Sequence, residues 1–178
     1  MNKVAPTVKK PSVVYRRPEL ADAPAIHALV DECEPLELNS QYAYMLLCTH
    51  FSETCAVAEL EGDLVGFVSG YLKPVDSSVL FIWQVAVSAA ARGRGVGKGL
   101  LNTVLSCPAC AHVRHLEATV TPSNRASWAL FRGVARDRGT SCTEQTIFRD
   151  EDFGPNHHEE EQLVRIGPLA AESTGQQL

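Results

Sequence analysis

From residue 12 onward the apolar positions switch between a spacing of two and a spacing of three to four, the signature of strands alternating with helices. Ser12 to Arg17 is short and rich in β-formers and predicts a first strand. Asp22 is a good helix N-cap, and Pro24 sits in the first turn, where a missing donor costs nothing. Ile26, Leu29, Val30 and Cys33 then make a helical stripe. Asn39 or Ser40 caps a second helix carrying Tyr44, Leu47, Cys48 and Phe51. Thr54 to Leu60 and Leu64 to Leu72 read as two strands joined by the hairpin signal Glu61-Gly62-Asp63. Val79 to Val87 is a nearly unbroken apolar run, which predicts a central strand buried on both faces.

After that strand, Ser88 to Gly95 reads as a loop and Val96 to Leu105 as a helix. His115 to Thr121 is a further strand, and Ser123 is placed to cap a helix reaching about Asp137, with Trp128 and Phe131 on one side. Two last strands fall near Cys142 to Phe148 and Gln162 to Ile166. The order β-α-α-β-β-β-α-β-α-β-β predicts an α/β or α+β fold with a mixed sheet of about seven strands and about four helices. Residues 1–11 read as a loose leader, 12–168 as a single domain and 169–178 as a flexible tail.

Composition narrows the function. The 178 residues suit one domain, and 45% apolar against 21% charged is enough for a packed core. A net charge of −5 is the wrong sign for gripping phosphate backbones, so no nucleic-acid partner is expected. No apolar run is long enough for a membrane span, and Lys3, Lys9 and Lys10 have no apolar segment behind them, so neither membrane attachment nor export is expected. The six scattered cysteines then read as reduced thiols in a cytoplasmic protein.

The sharpest local signal is Arg92-Gly93-Arg94-Gly95-Val96-Gly97-Lys98-Gly99, between the apolar strand and a helix. Glycines let the backbone turn tightly and bring successive N–H groups to one point. The free donors and dipole of the helix N-terminus favour an anion there, with Arg92, Arg94 and Lys98 adding charge. The Walker pattern fails, because Gly93 and Gly97-Lys98 are one residue too close and Gly99 stands where a magnesium-binding hydroxyl belongs. The dinucleotide pattern G-x-G-x-x-G fails too, since Lys98 occupies the third glycine position. Arg/Gln-x-x-Gly-x-Gly/Ala fits at Arg92, Gly95 and Gly97. The competing account is an ordinary glycine-rich connection.

With this motif and this element order, residues 13–168 resemble the GCN5-related N-acetyltransferases (GNAT), which cradle the pyrophosphate of acetyl-coenzyme A on that turn. The resemblance implies that fold, with a mostly antiparallel sheet, and acetyl-coenzyme A as cosubstrate with no metal. It implies cofactor contacts from Gln84, Val85, Ala86 and Val87 at the end of the apolar strand. It implies further ones from Arg92, Gly93, Arg94, Gly95, Val96, Gly97 and Lys98 in the turn. Asn124-Arg125-Ala126-Ser127, leading to Leu130-Phe131, looks like the family's Asn-x-x-Ala/Ser helix, which adds Asn124, Ser127 and Phe131. Many members place a Tyr in that helix to protonate the leaving thiolate. The matching residue here is Phe131, which has no proton to give.

Leu36 to Tyr44, Gly66 to Tyr71, Phe81 to Val87, Thr119 to Asn124 and His158 to Glu161 resemble more narrowly the diaminobutyrate acetyltransferase branch, with Glu37 in place of its usual Asp. That branch implies transfer to the 4-amino group of L-2,4-diaminobutyrate in ectoine biosynthesis, a role in osmoprotection, and a homodimer. The alternatives are a GNAT enzyme for another amine (a protein N-terminus, lysine or a polyamine) and a coenzyme-A-binding regulator without turnover.

The chemistry asks for a site that attracts a dication and removes one proton beside a thioester, because an alkylammonium is charged near neutral pH. Asp31, Glu32, Glu34 and Glu37 put four acids in seven residues. Glu37 is the candidate ligand, and a solvated helix end is the alternative. Trp83 is a candidate wall for an ammonium or a core residue, and Tyr42 is a better substrate contact than Tyr44, which fits the apolar stripe. His158 is a candidate to bind substrate or accept a proton, with His157 beside it. Glu37, Trp83 and His158 are therefore the expected catalytic residues. Cys107-Pro108-Ala109-Cys110 with His112 and His115 is too compact for a zinc site, and it closes a helix where a redox Cys-x-x-Cys opens one.

Overall fold

A computed structural model describes residues 12–155 and 158–170. The expected leader 1–11, His157 and positions 171–178 of the expected tail lie outside the described residues. The elements are β1 (Val14–Arg16), α1 (Ala23–Asp31), α2 (Gln41–His50), β2 (Ala56–Leu60), β3 (Asp63–Lys73), β4 (Asp76–Val87), α3 (Val96–Leu105), β5 (His115–Val120), α4 (Arg125–Asp137), β6 (Ser141–Phe148) and β7 (Glu161–Gly167). The order is the one the apolar spacing predicts.

The seven strands form one sheet in the order β1-β2-β3-β4-β5-β7-β6. The pairing is antiparallel throughout except between β4 and β5, which run parallel. A parallel neighbour needs a crossover, and α3 provides it. The β2–β3 hairpin turns on Glu61 and Gly62, both with positive φ, as a two-residue hairpin requires.

Two cores lie on opposite faces of the sheet. On one face Leu100, Leu101, Trp128, Phe131 and Val134 of α3 and α4 pack on Val68, Leu80, Ile82, Leu116 and Ile166. On the other, Ile26, Leu29, Val30, Tyr44 and Leu47 of α1 and α2 cover Val57, Phe67 and Ala86. The α1–α2 layer contacts β3 and β4, and among the described residues no helix packs closely on the β5–β7–β6 half of that second face.

Several local expectations need correction. Asp22 stands at the N-cap of α1, but its carboxylate takes two bonds from Arg16 (2.7 and 2.8 Å), which hold it below the usual carboxylate range. Ser40, the second of the two candidates, caps α2 by accepting from the Ala43 N–H. In α4 the cap is Asn124, accepting from the Ser127 N–H, and Ser123 instead hydrogen-bonds Glu159. Both residues are good caps, so composition alone could not choose. Leu169, expected to begin a frayed tail, is buried, and its N–H donates to the Arg114 carbonyl at 2.7 Å. Gly99 on α3 has the phenol of Tyr15 laid against it, so that a Cβ there would sit 2.2 Å from the ring.

Candidate active site

β4 and β5 separate beyond their last paired residues, Ile82 and Ala118, and the wedge between them opens toward α3 and α4. Gly93 and Gly95 take φ values of +73° and +79°, a region open to glycine at no steric cost. Gly95 is the N-cap of α3, so the turn ends on the helix's free N–H groups. A cleft of about 470 Å³ begins there. Its walls are Val85 and Val87 of β4, Arg92, Gly93, Gly95, Val96, Gly97 and Lys98 of the turn, and Asn124, Ala126, Ser127, Ala129 and Leu130 of α4, with Cys33 to Leu36 across the mouth. Gly97 packs closely, since a Cβ would come within 3.2 Å of the Leu130 side chain. An apolar trough that ends on N–H groups and two cations suits a long neutral arm with an anionic end.

Not every expected contact lines this cleft. Phe131 is 3% exposed and packs in the α3–α4 core, one residue from the cleft-lining Leu130, and is not itself one of the cleft walls. Ala86 is buried under α1 and α2, and Arg94 points away from the walls, into solvent. Lys98 pairs with Asp137, and Arg92 donates to the Val87 carbonyl at 3.2 Å, so both cations are already fixed at the anionic end. Asn124 and Ser127 do line the cleft, with the Asn124 carbonyl oxygen spent on its cap.

Gln84 shows what the apolar run concealed. Ser69 pairs with Gln84 but Gly70 with Ile82, so Trp83 is an extra residue, a β-bulge. Leu80 and Ile82 face the α3–α4 core, as do Val85 and Val87 beyond the bulge. The change of register leaves Gln84 on the opposite face from Val85. Its side chain is 5% exposed, donating to the Glu37 carbonyl at 2.7 Å and accepting from the Tyr44 hydroxyl at 3.3 Å. Trp83 itself is 51% exposed, which corrects the expectation of a strand buried on both faces.

The expected substrate residues meet only in part. Gln84 holds Glu37 above the bulge by its backbone, with the carboxylate exposed. Glu161, at the start of β7, lies within electrostatic reach of Glu37, Glu159 and His158. It is partly buried and one of its carboxylate oxygens, Oε2, is enclosed without a partner among the described residues. Burial raises its affinity for a proton above that of an ordinary carboxyl; the Thr119 hydrogen bond and His158 oppose this, and Glu37 and Glu159 reinforce it. His158 stacks on Phe153 with ring centroids 4.1 Å apart, and its N–H donates to Asp150 at 3.1 Å. Glu159 ties this segment to the N–H and hydroxyl of Ser123. Tyr42 is 67% exposed at the start of α2 and is not drawn into this group, while Tyr44 is fully buried. Glu37 is thus tied to the bulge through Gln84, next to the exposed Trp83, and lies within electrostatic reach of Glu161. The segment match at His158 to Glu161 was the one sequence signal that touched Glu161, and it did not single that residue out.

The remaining cysteines add no chemistry here. All six are free thiols; burial pushes Cys110 up to about 11, and Cys107 accepts from the Arg17 guanidinium at 3.0 Å. Among the described residues no group of three or more His, Cys, Asp or Glu is placed to hold a metal ion. No described helix is long and apolar enough to cross a membrane.

Comparison with known proteins bears on this site. The model of the acetyltransferase (GNAT) family matches residues 23–134. L-2,4-diaminobutyric acid acetyltransferase of Bordetella parapertussis is 51% identical over 155 residues, 86% of this chain and 83% of its own. The protein of that name from Shouchella clausii is 41% identical over 94% of this chain and 93% of its own. Among solved structures, diaminobutyrate acetyltransferase from Paenibacillus lautus, in complex with L-2,4-diaminobutyric acid and coenzyme A, superposes with a TM-score of 0.86. It is 43% identical, over 89% of this chain and 96% of that one. The ribosomal-protein-S18-alanine N-acetyltransferase of Escherichia coli, at 18% identity and a TM-score of 0.66 over 94% of this chain and 99% of that one, shares the fold alone.

Proposed function

Because the chain belongs to the acetyltransferase (GNAT) family, we propose that it moves the acetyl group of acetyl-coenzyme A to the 4-amino group of L-2,4-diaminobutyrate. The observation that carries the reading is the join at the bulge. A cleft for the cofactor's arm runs along Val85 and Val87 and past Leu36, and the strand bulge that precedes Val85 carries the exposed Trp83 and the Gln84 that holds Glu37, an acid within electrostatic reach of Glu161.

The cofactor supplies an activated acetyl thioester. The pyrophosphate lies on the N–H groups of the turn at residues 92–98, held by the α3 dipole and by Arg92 and Lys98. The β4 backbone at residues 84–87 takes the amides of the arm. The diamine enters as a dication, and Glu37 and Glu161 neutralise it, with the Trp83 ring as one wall. Glu161 then has the raised proton affinity needed to take the proton from the attacking ammonium, directly or through a water. The neutral amine attacks the thioester carbonyl, the tetrahedral intermediate collapses, and coenzyme A leaves as its thiolate, which is protonated as the nitrogen sheds its second proton directly or through water. A thiol ionises near pH ~8.5, so no dedicated acid is needed, consistent with Phe131 buried in the core.

The proposal extends to surroundings. The product serves ectoine formation and osmoprotection in the cytoplasm. The protein pairs as a homodimer through its C-terminal strands, where β6 is an edge strand with Ile147 and Phe148 exposed. Incubation with acetyl-coenzyme A and a panel of L-2,4-diaminobutyrate, lysine, a polyamine and an N-terminal peptide, read by mass spectrometry, tests the reaction. The expected result is one acetyl group on the 4-nitrogen of diaminobutyrate. Preferred acetylation of another amine, or binding without turnover, overturns it. Sedimentation at micromolar concentration tests the dimer, which a monomeric species would refute.

A further inference from the structure

Glu117 is a charged residue in the middle of β5 with 1% of its surface exposed. Burying a lone carboxylate is expensive, and here two cations offset the cost. The Lys73 ammonium meets Oε2 at 2.8 Å, and the Arg165 guanidinium meets Oε1 through Nη1. The three come from β3, β5 and β7 and lie 44 and 48 residues apart in sequence. Phe81, Glu117 and Arg165 sit side by side across the sheet.

Two features separate this cluster from a purely structural ion pair. Both cations remain accessible, with 33% of the Lys73 side chain and 38% of the Arg165 side chain exposed, while the acid between them is closed off. One carboxylate also cannot neutralise two cations. Asp76, the other acid within electrostatic reach of Arg165, has its Oδ1 bonded to the N–H and hydroxyl of Ser78. Among the described residues Glu117 is the one side-chain partner of Arg165, which leaves its Nε and Nη2 donors without a side-chain acceptor there.

The β5–β7–β6 half of the second face also carries Glu161. Val164 and Ile166 point into the α3–α4 core, so Glu161, Leu163 and Arg165 alternate on the other side of β7. Four residues of strand span about 13 Å. A glutamate stands at one end of that interval and an arginine at the other, on the same face of the strand. A diamino acid has the matching polarity, an ammonium at one end and a carboxylate three carbons away.

We infer that Arg165 is the anchor for the carboxylate of the diamino acid, with Lys73 adding charge and Glu117 fixing both cations in place. The inference rests on the diaminobutyrate reading above. It assigns to Arg165 the choice between a diamino acid and a plain diamine: the fork and charge of a guanidinium suit a carboxylate, and a substrate without one leaves them unused.

The test compares L-2,4-diaminobutyrate with 1,3-diaminopropane, the same molecule without its carboxylate, as a substrate or, where turnover is slow, as a competitive inhibitor. In Arg165→Gln the KM for diaminobutyrate is expected to rise about 10- to 100-fold, as for loss of a charged hydrogen-bond partner, while the constant for diaminopropane stays within about twofold. Arg165→Lys keeps the pairing with Glu117 and loses the fork, so it is expected to fall between the two, and it serves where the glutamine variant does not fold. An unchanged KM for diaminobutyrate, or equal losses for both amines, overturns the role of Arg165. A wild-type protein that transfers nothing to diaminobutyrate overturns the parent reading instead.

Discussion

The two halves of the site are built differently. The cofactor cleft is made largely of backbone. Its anionic end is a run of seven residues, 92–98, whose glycines set the chain's direction, and its long wall is one strand. The substrate side is made of side chains brought from distant points: Glu37 before α2, Trp83 at the bulge, and Glu161 and Arg165 at either end of β7. A backbone cradle serves any ligand with the same phosphate and depends on conformation. A side-chain cluster serves one substrate and depends on identity. Damage on one side should therefore appear in one Michaelis constant and spare the other.

The largest effect is expected on the backbone side. Gly95→Asp adds a strained left-handed residue and a negative charge at the helix N-terminus, and the KM for acetyl-coenzyme A should rise roughly a hundredfold. An unchanged affinity for the cofactor would put the pyrophosphate elsewhere. Glu161→Gln should cost more in kcat than any other change on the acidic side, with cofactor binding intact. Its pH behaviour sharpens the point. The proton affinity of Glu161 is raised in the folded protein, so the wild type holds a stability contribution at acid pH that is lost as pH rises through the raised pKa. The glutamine variant should therefore match the wild type in acid and exceed its Tm at neutral pH. In the wild type kcat/KM for the diamine should fall as pH drops through that same pKa, and the limb should vanish from the variant.

Glu37→Gln comes next, raising the KM for diaminobutyrate about tenfold while the constant for acetyl-coenzyme A holds, as steady-state kinetics would read. Gln84→Leu removes the bond to the Glu37 carbonyl and should weaken diamine use a few-fold through loss of positioning. It strains the comparison, because Gln84 belongs to both halves, and a larger effect on the cofactor than on the diamine would count against it. The smallest change in rate belongs to Phe131→Tyr. Turnover should stay within about twofold, while the new hydroxyl buried in the core lowers Tm. A large gain in turnover would mean that a general acid is missing after all.

The same division explains what could be read from the chain in advance. The glycine turn, the order of elements and the helix over Val96–Leu105 follow from adjacent residues and local periodicity. The bulge at Trp83 does not, because an apolar run looks the same whether or not one residue is extra. The burial of Glu117 and its pairing with Lys73 and Arg165 are invisible for a related reason: each sits alone among apolar neighbours in its own strand, and only the sheet register brings them together. Tyr42 and His158 stand out in the sequence by type and position alone, which says nothing of Tyr42 lying open to solvent or of His158 resting on Phe153. The acid that the site encloses, Glu161, stood third in a run of glutamates that composition treats as alike.

The close approach of Tyr15 to Gly99 has a meaning for how this turn could ever change its ligand. Position 99 is where nucleotide-hydrolysing turns carry the hydroxyl that holds magnesium. Here a Cβ at that point would collide at 2.2 Å with a ring delivered by the first strand, three strands earlier in the chain. A metal-binding hydroxyl at residue 99 would first have to displace the Tyr15 phenol from its place against α3. A packing contact made outside the cleft thus stands, beside the shortened glycine spacing, against magnesium-assisted phosphate chemistry at this turn.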